Sequence, residues 1–331
     1  MTPEEAGFIP DKLIQVEAWL DEHAGARGYR FALVKDGYLV SALNRGYDPN
    51  EPLRIASAAK SFYGSVLGIA VAEARIPSAD APVADIYPEM LDVPAGEGPK
   101  EGRYAFPKDR AITYRQLISN TSGYMKPGEA PGRVFHYQTY GMNILTHAIA
   151  TAYGRYDVAD PEGSVGFASL IDEKLAAPIG ATFDYSLTNF DLHPRARLPI
   201  FGYYCQVHTT PLDFARAGWL WCNWGRWEGQ QVVPEAWVRA AVKVNGDLID
   251  HAPPEQWMYG YGFWTNERGV LWPDLPHTAF AAAGAGGHYA TVFPDLRLVV
   301  VQNPGPYHNA REGASLANGD LLSLVLAGLR V

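Results

Sequence analysis

Ser57 and Lys60 are the residues whose types and spacing point most directly to chemistry in this 331-residue chain. The stretch 54–72 contains no proline and is rich in alanine, the best helix former, so it reads as a helix. A serine three positions before a lysine then places hydroxyl and amine on one face, about one turn apart. The helix is apolar or small all round, the pattern of a buried element. Lys60 is the only charge between Arg54 and Glu73. A buried lysine is costly, and desolvation favours its neutral form, so a depressed pKa is expected. A neutral amine beside a hydroxyl is a general base beside a nucleophile. Ser57 would sit in the first helical turn, where unpaired N–H groups and the helix dipole favour developing negative charge. The bland alternative is a chance match with a lysine that snorkels to the surface. Against it, no other serine in the chain has a lysine three residues later.

The elements that must position this pair can be read in outline. A helix is expected over 10–23, with Leu13, Val16, Trp19 and Leu20 on one side. Strands over 31–34 and 38–40 flank Asp36-Gly37, a hairpin turn signal. Residues 77–110 are rich in proline, glycine and acidic groups and read as an irregular excursion. Helices are expected over 113–119, capped by Thr113, and over 141–153, 167–176, 212–224, 234–243 and 314–329. Late strands are expected over 260–265, 279–283, 288–293 and 296–302. Strands near both ends and helices between them predict an α+β fold. Its antiparallel sheet, flanked by N- and C-terminal helices, would belong to a discontinuous lobe of 1–56 and 255–331. A mainly helical lobe of 57–254 would be inserted, with the site at the interface.

Composition narrows the function. The hydrophobic share of 47% and charged share of 19% are those of a globular protein. A net charge of −9 argues against nucleic acid as a partner. The two cysteines, Cys205 and Cys222, form no metal-ligand spacing, so neither a metal nor a disulfide framework is expected. No signal peptide or membrane-spanning run is visible, which makes the cytoplasm the expected compartment and excludes a membrane as partner. No Gly-x-Ser-x-Gly elbow, Walker loop or dinucleotide fingerprint is present.

Taken in order, several segments resemble the serine β-lactamase and penicillin-binding-protein superfamily, especially its class C-like branch of esterases and amidases. Ser57-Ala58-Ala59-Lys60 matches the first motif. Leu117-Ile118-Ser119-Asn120-Thr121-Ser122-Gly123 resembles the segment ending in Thr-Ser-Gly, with Asn120 where many members have histidine. Tyr137-Gln138-Thr139 stands where Tyr-x-Asn is expected. Ala177-Pro178-Ile179-Gly180 resembles a family turn. Gly284-Ala285-Gly286-Gly287, followed by Phe293-Pro294-Asp295-Leu296, resembles the third-motif strand and its partner.

The resemblance implies a β-lactamase-like fold and a serine hydrolase without cofactor. Ser57 would be the nucleophile, Lys60 the base and Tyr137 the proton relay, with Tyr140 as the rival tyrosine. The oxyanion would be met by the N–H groups of Ser57 and Ala285. Tyr124, Thr139, Tyr204, Gly284, Gly286 and His288 are expected around the substrate, and Tyr203 and Trp264 flank the same motifs. The glycines at 284, 286 and 287 are expected to let the backbone approach a ligand, a bare turn being the alternative. Two departures bear on substrate. No lysine or arginine lies over 275–293, where relatives grip a carboxylate, leaving His277 and His288 as the only candidate cations. Thr139 replaces the asparagine that orients a substrate amide. Both favour a small-molecule ester or linear amide, as in 6-aminohexanoate-dimer hydrolases and family VIII-type carboxylesterases, over a penicillin. The alternatives are a β-lactamase or D-amino-acid peptidase, an acyltransferase, and a catalytically silent binding protein of the same fold.

Overall fold

The computed structural model describes residues 2–189, 197–306 and 319–330. Helix α1, Pro10–Ala24, buries Val16 and Leu20. Strands β1, Tyr29–Lys35, and β2, Tyr38–Arg45, form the expected hairpin. Asp36 and Gly37 both take positive φ (53° and 83°), which only such turn residues adopt readily. The chain is still extended at β3, Leu53–Arg54, because both residues pair with Thr209 and His208. The helix expected from position 54 therefore begins later. A 3₁₀ turn, Ala56–Ala58, leads into α2, Ala59–Ala72, which is buried from Ala59 to Ala70.

The excursion over 77–110 is made of single 3₁₀ turns and loops. Helix α3, Tyr114–Ile118, is closed by the Thr113–Gln116 capping box. Helix α4 spans Tyr140–Ala152, and α5, Ala168–Ile171, runs through a π-helical turn, Asp172–Ala176, into α6, Ala177–Ile179. Pro178 has no N–H to offer an α-helical ladder there. The expected helix list omitted a small antiparallel sheet: β3 pairs with β5, Tyr204–Thr209, which pairs with β4, Asp184–Thr188. Between β4 and β5 lies α7, Leu198–Phe201. Helix α8, Pro211–Cys222, is followed by the ribbon β6, Arg226–Trp227, and β7, Gln230–Gln231. Helices α9, Glu235–Ala241, and α10, Gly246–His251, come next.

The late strands are β8, Trp264–Thr265; β9, Phe280–Gly284; β10, His288–Phe293; and β11, Leu298–Gln302. They complete a six-stranded antiparallel sheet in the order β2-β1-β11-β10-β9-β8. Helix α11, Gly319–Leu326, closes the described chain, and positions 314–318 of the expected helix lie outside the described residues. One sheet face, with Phe31, Leu33 and Val300, is covered by α1 and α11. The other, with Ala32, Val292 and Val299, shares one core with α2 and the helical part. Its cover includes α8, which lies within the 57–254 span yet packs on β1, β10 and β11. Among the described residues no helix is long and apolar enough to cross a membrane, and no cluster could hold a metal.

Candidate active site

Ser57 is aimed by its neighbours. Ala56 is held at φ 48°, a left-handed conformation that a residue with a side chain adopts only when its surroundings impose it. Ile55 supplies that constraint: it is fully buried, and its N–H bonds to the Val207 carbonyl of β5 at 3.0 Å. On the other side, β9 ends against the same turn at Gly284. A Cβ there would lie 2.0 Å from the Ile55 carbonyl oxygen and 2.9 Å from the Ala58 nitrogen. A side chain at 284 would thus run into the Ala56–Ala58 turn that carries Ser57. Gly284→Ala is expected to cost about 1–3 kcal/mol of stability through overpacking and to lower turnover with it. Urea denaturation and esterase assays check both, and an unaffected variant would show that this contact positions nothing. Gly286 and Gly287 (φ 90° and 81°) form the turn from β9 to β10, the alternative reading of these glycines.

The Lys60 amine lies 2.8 Å from the Ser57 hydroxyl, with the lysine 1% exposed. It does not snorkel. Its ammonium group sits 4.6 Å from the centre of the Tyr137 ring. Among the described residues it has no carboxylate partner. Burial works to strip its proton, but the phenols of Tyr137 and Tyr204 outweigh that and hold its pKa above the ordinary value. The depressed pKa expected from sequence is therefore overturned. Burial was legible in the helix; two phenols arriving from distant segments were not. Tyr204 sits on β5, 3% exposed and edge-on to Tyr63 at 5.9 Å. Burial raises its own pKa and Lys60 partly offsets this.

Tyr137, not Tyr140, is the tyrosine brought to Lys60; Tyr140 begins α4 under the Arg103 guanidinium, 5.7 Å from its ring. Tyr137 stacks on Trp264 at 5.4 Å and meets Tyr259 edge-on at 5.7 Å. Its backbone is bracketed by Asn120. The Asn120 carbonyl accepts from the His136 N–H at 2.8 Å, and its Oδ1 accepts from the Gln138 N–H at 3.0 Å. Asn120 itself takes φ 59°, which a short amide side chain tolerates.

A cavity of about 310 Å³ opens over Ser57 and is lined by Tyr137, Trp264, Ala283, Gly284, Ala285 and Tyr289. Aromatic and small side chains make up its walls. Five expected pocket residues are not among those lining it: Tyr204 is buried on β5 beside Lys60, and four others lie elsewhere. Tyr124 is fully buried, its hydroxyl donating to the Met90 carbonyl at 2.7 Å. Thr139 serves as the residue before α4, its carbonyl accepting from Met142 and Asn143. Gly286 lies in the turn, 3.3 Å from the His288 ring on a built Cβ, and His288 is buried on β10 opposite Gly284. Tyr203 lines a separate cavity beside His147. Sequence reasoning missed Tyr259 and Tyr289, which were hidden inside a stretch read only as strand or loop.

A sequence model of the beta-lactamase family matches residues 13–303. No curated protein matches the chain. Among solved structures, a Bacteroides dorei DSM 17855 protein described as a beta-lactamase has a TM-score of 0.71 at 17% identity, covering 97% of this chain and 98% of that one. A family VIII carboxylesterase gives 0.70 at 16%, covering 96% and 97%. A Bacillus anthracis protein described as a 6-aminohexanoate-dimer hydrolase gives 0.68 at 19%, covering 95% and 83%. At these identities the likeness is one of fold.

Proposed function

The chain belongs to the beta-lactamase family, and from that premise we propose that it is a serine hydrolase cleaving neutral carboxylic esters or linear amides through an acyl-enzyme on Ser57. The observation that carries the reading is the buried Lys60 amine held 2.8 Å from the Ser57 hydroxyl without a carboxylate to neutralise it. A structural lysine would find such a partner or reach water.

In this reading Lys60 and Tyr137 act as a pair, base and proton relay. In its neutral form the Lys60 amine accepts the Ser57 proton as Oγ attacks the acyl carbon, and Tyr137 relays it. Backbone N–H groups of Ser57 and Ala285 meet the oxyanion. The pair then returns the proton to the leaving alkoxide or amine, and water repeats the sequence to release the acid. The relatives named as a carboxylesterase and a 6-aminohexanoate-dimer hydrolase support the substrate class.

The cavity lining supplies no cation to a substrate carboxylate among the described residues. An anionic β-lactam therefore lacks a charge-assisted partner, whereas a neutral ester needs only the oxyanion donors. We expect kcat/KM for a short-chain p-nitrophenyl ester to exceed that for nitrocefin by about a hundredfold, roughly 2.7 kcal/mol of discrimination. Ala283→Lys, which adds an ammonium group to the cavity wall, should narrow the gap. Equal turnover of nitrocefin and ester by the unmodified protein would restore the β-lactam substrate.

A further inference from the structure

Tyr137 can carry a proton only if its hydroxyl is held beside Lys60, and its own contacts with the protein body are chiefly aromatic. Two residues supply the constraint, Asn120 from the segment ending in Thr-Ser-Gly and Tyr259 from outside the recognisable motifs. Asn120 holds the two residues that flank Tyr137, its carbonyl accepting from the His136 N–H and its Oδ1 from the Gln138 N–H. That leaves its Nδ2 buried without a hydrogen-bond partner. Tyr259, 1% exposed, stands perpendicular to the Tyr137 ring at 5.7 Å and to Trp264 at 5.1 Å, and its hydroxyl is likewise buried without a partner of ordinary geometry. Such orphaned groups are rare in a folded core and call for an explanation. Burial and Tyr137 hold the Tyr259 proton on, while the Asn120 amide works the other way, so all three polar ends bear on one another.

We propose that Asn120 and Tyr259 are the positioning residues of Tyr137: Asn120 fixes its backbone, and the Tyr259 hydroxyl assists the proton that Tyr137 exchanges with the leaving group. The hydroxyl of Tyr259 closes onto the Tyr137 oxygen when that oxygen gains negative charge, and the Asn120 Nδ2 donates to Tyr259 behind it. No covalent bond to either residue is made or broken. This inference rests on the reading of Tyr137 as the proton carrier.

The test compares phenyl butyrate with p-nitrophenyl butyrate, because phenoxide leaves well only when protonated and p-nitrophenoxide leaves unaided. Tyr259→Phe keeps the ring packing. It is expected to lower kcat for the phenyl ester by about tenfold and for the p-nitrophenyl ester by only about twofold, with KM little changed. Asn120→Ala, which releases the Gln138 N–H beside Tyr137 while the backbone contact to His136 stays, should lower kcat for both esters with KM retained. Equal losses on both esters in Tyr259→Phe, or losses that simply follow a fall in Tm, would overturn the inference. Tyr137→Phe separates the two levels. If it shows the leaving-group dependence and Tyr259→Phe does not, only this inference falls. If Tyr137→Phe shows none, or the unmodified protein cleaves neither ester, the proposed function falls and the inference with it.

Discussion

Replacing Ser57 by alanine is expected to reduce kcat/KM for p-nitrophenyl butyrate by about 10³–10⁶, the scale on which loss of an acyl-transfer nucleophile is felt. A fluorophosphonate probe should add a single label to the unmodified protein and none to Ser57→Ala, as read by intact mass. The fold should survive, because Ser57 is half-buried and its side chain makes one hydrogen bond, to Lys60. The turn that aims it is held instead by Ile55, Val207 and Gly284. Labelling that persists in the alanine variant would place the nucleophile elsewhere and dismantle the proposed function.

Lys60 carries the second large effect, and it runs in two directions. Lys60→Arg keeps the charge but cannot surrender a proton, so turnover should fall by about 10²–10⁴, the usual worth of a positioned base. Because Tyr137 and Tyr204 hold the lysine pKa above its ordinary value, the amine is protonated at neutral pH. Its neutral form grows with pH. The logarithm of kcat/KM should therefore climb with a slope near one through neutrality and keep climbing into the alkaline range, where a depressed lysine would already have levelled off. Lys60→Met should be inactive as well, yet neutral to stabilising by up to about 3 kcal/mol, since it removes a buried charge without a counter-ion. Urea denaturation reads that gain. Near-full activity in Lys60→Arg would assign the base to Tyr137 alone, and a plateau below pH 8 would contradict the raised pKa.

The parts of the molecule that sequence revealed are those where one residue type violates its local pattern. Lys60 stands out because every neighbour on its helix is apolar or small, and Thr113 because a cap residue stands directly before helical spacing. The hairpin at Asp36-Gly37 was legible for the same reason, a turn requirement met by two adjacent residues. The small sheet of β3, β4 and β5 was not. Its strands are short, polar on the exposed side and joined across long separations, so no period marks them: Asp184 pairs with His208, and Leu53 with Thr209. The pocket failed differently. Tyr124 adjoins a motif in sequence, but chain proximity does not decide which way a ring turns, and burial against Met90 took it. Tyr259 and Tyr289 reach the site from the other end of the chain, and only the folded sheet brings them there. The pKa of Lys60 failed with them, since its controlling phenols come from positions 137 and 204.

The sheet that frames the site is assembled from strands far apart in the chain. β1 lies between β2 and β11, and the buried Arg30 at its start donates to the Asn303 side chain, 273 positions later, at 2.6 Å. On a ribosome adding about 5–20 residues per second, β1 and β2 would wait roughly 15–50 s for that partner. Throughout that interval the β1 edge and its Phe31 and Leu33 side chains have no sheet to enter. Helix α2, with the Ser57 turn before it, likewise precedes α8 and the late strands that cover it. Ser57 and Lys60 are thus made well before the strands that enclose them, which makes the nascent chain a natural client for whatever shields apolar surface during synthesis.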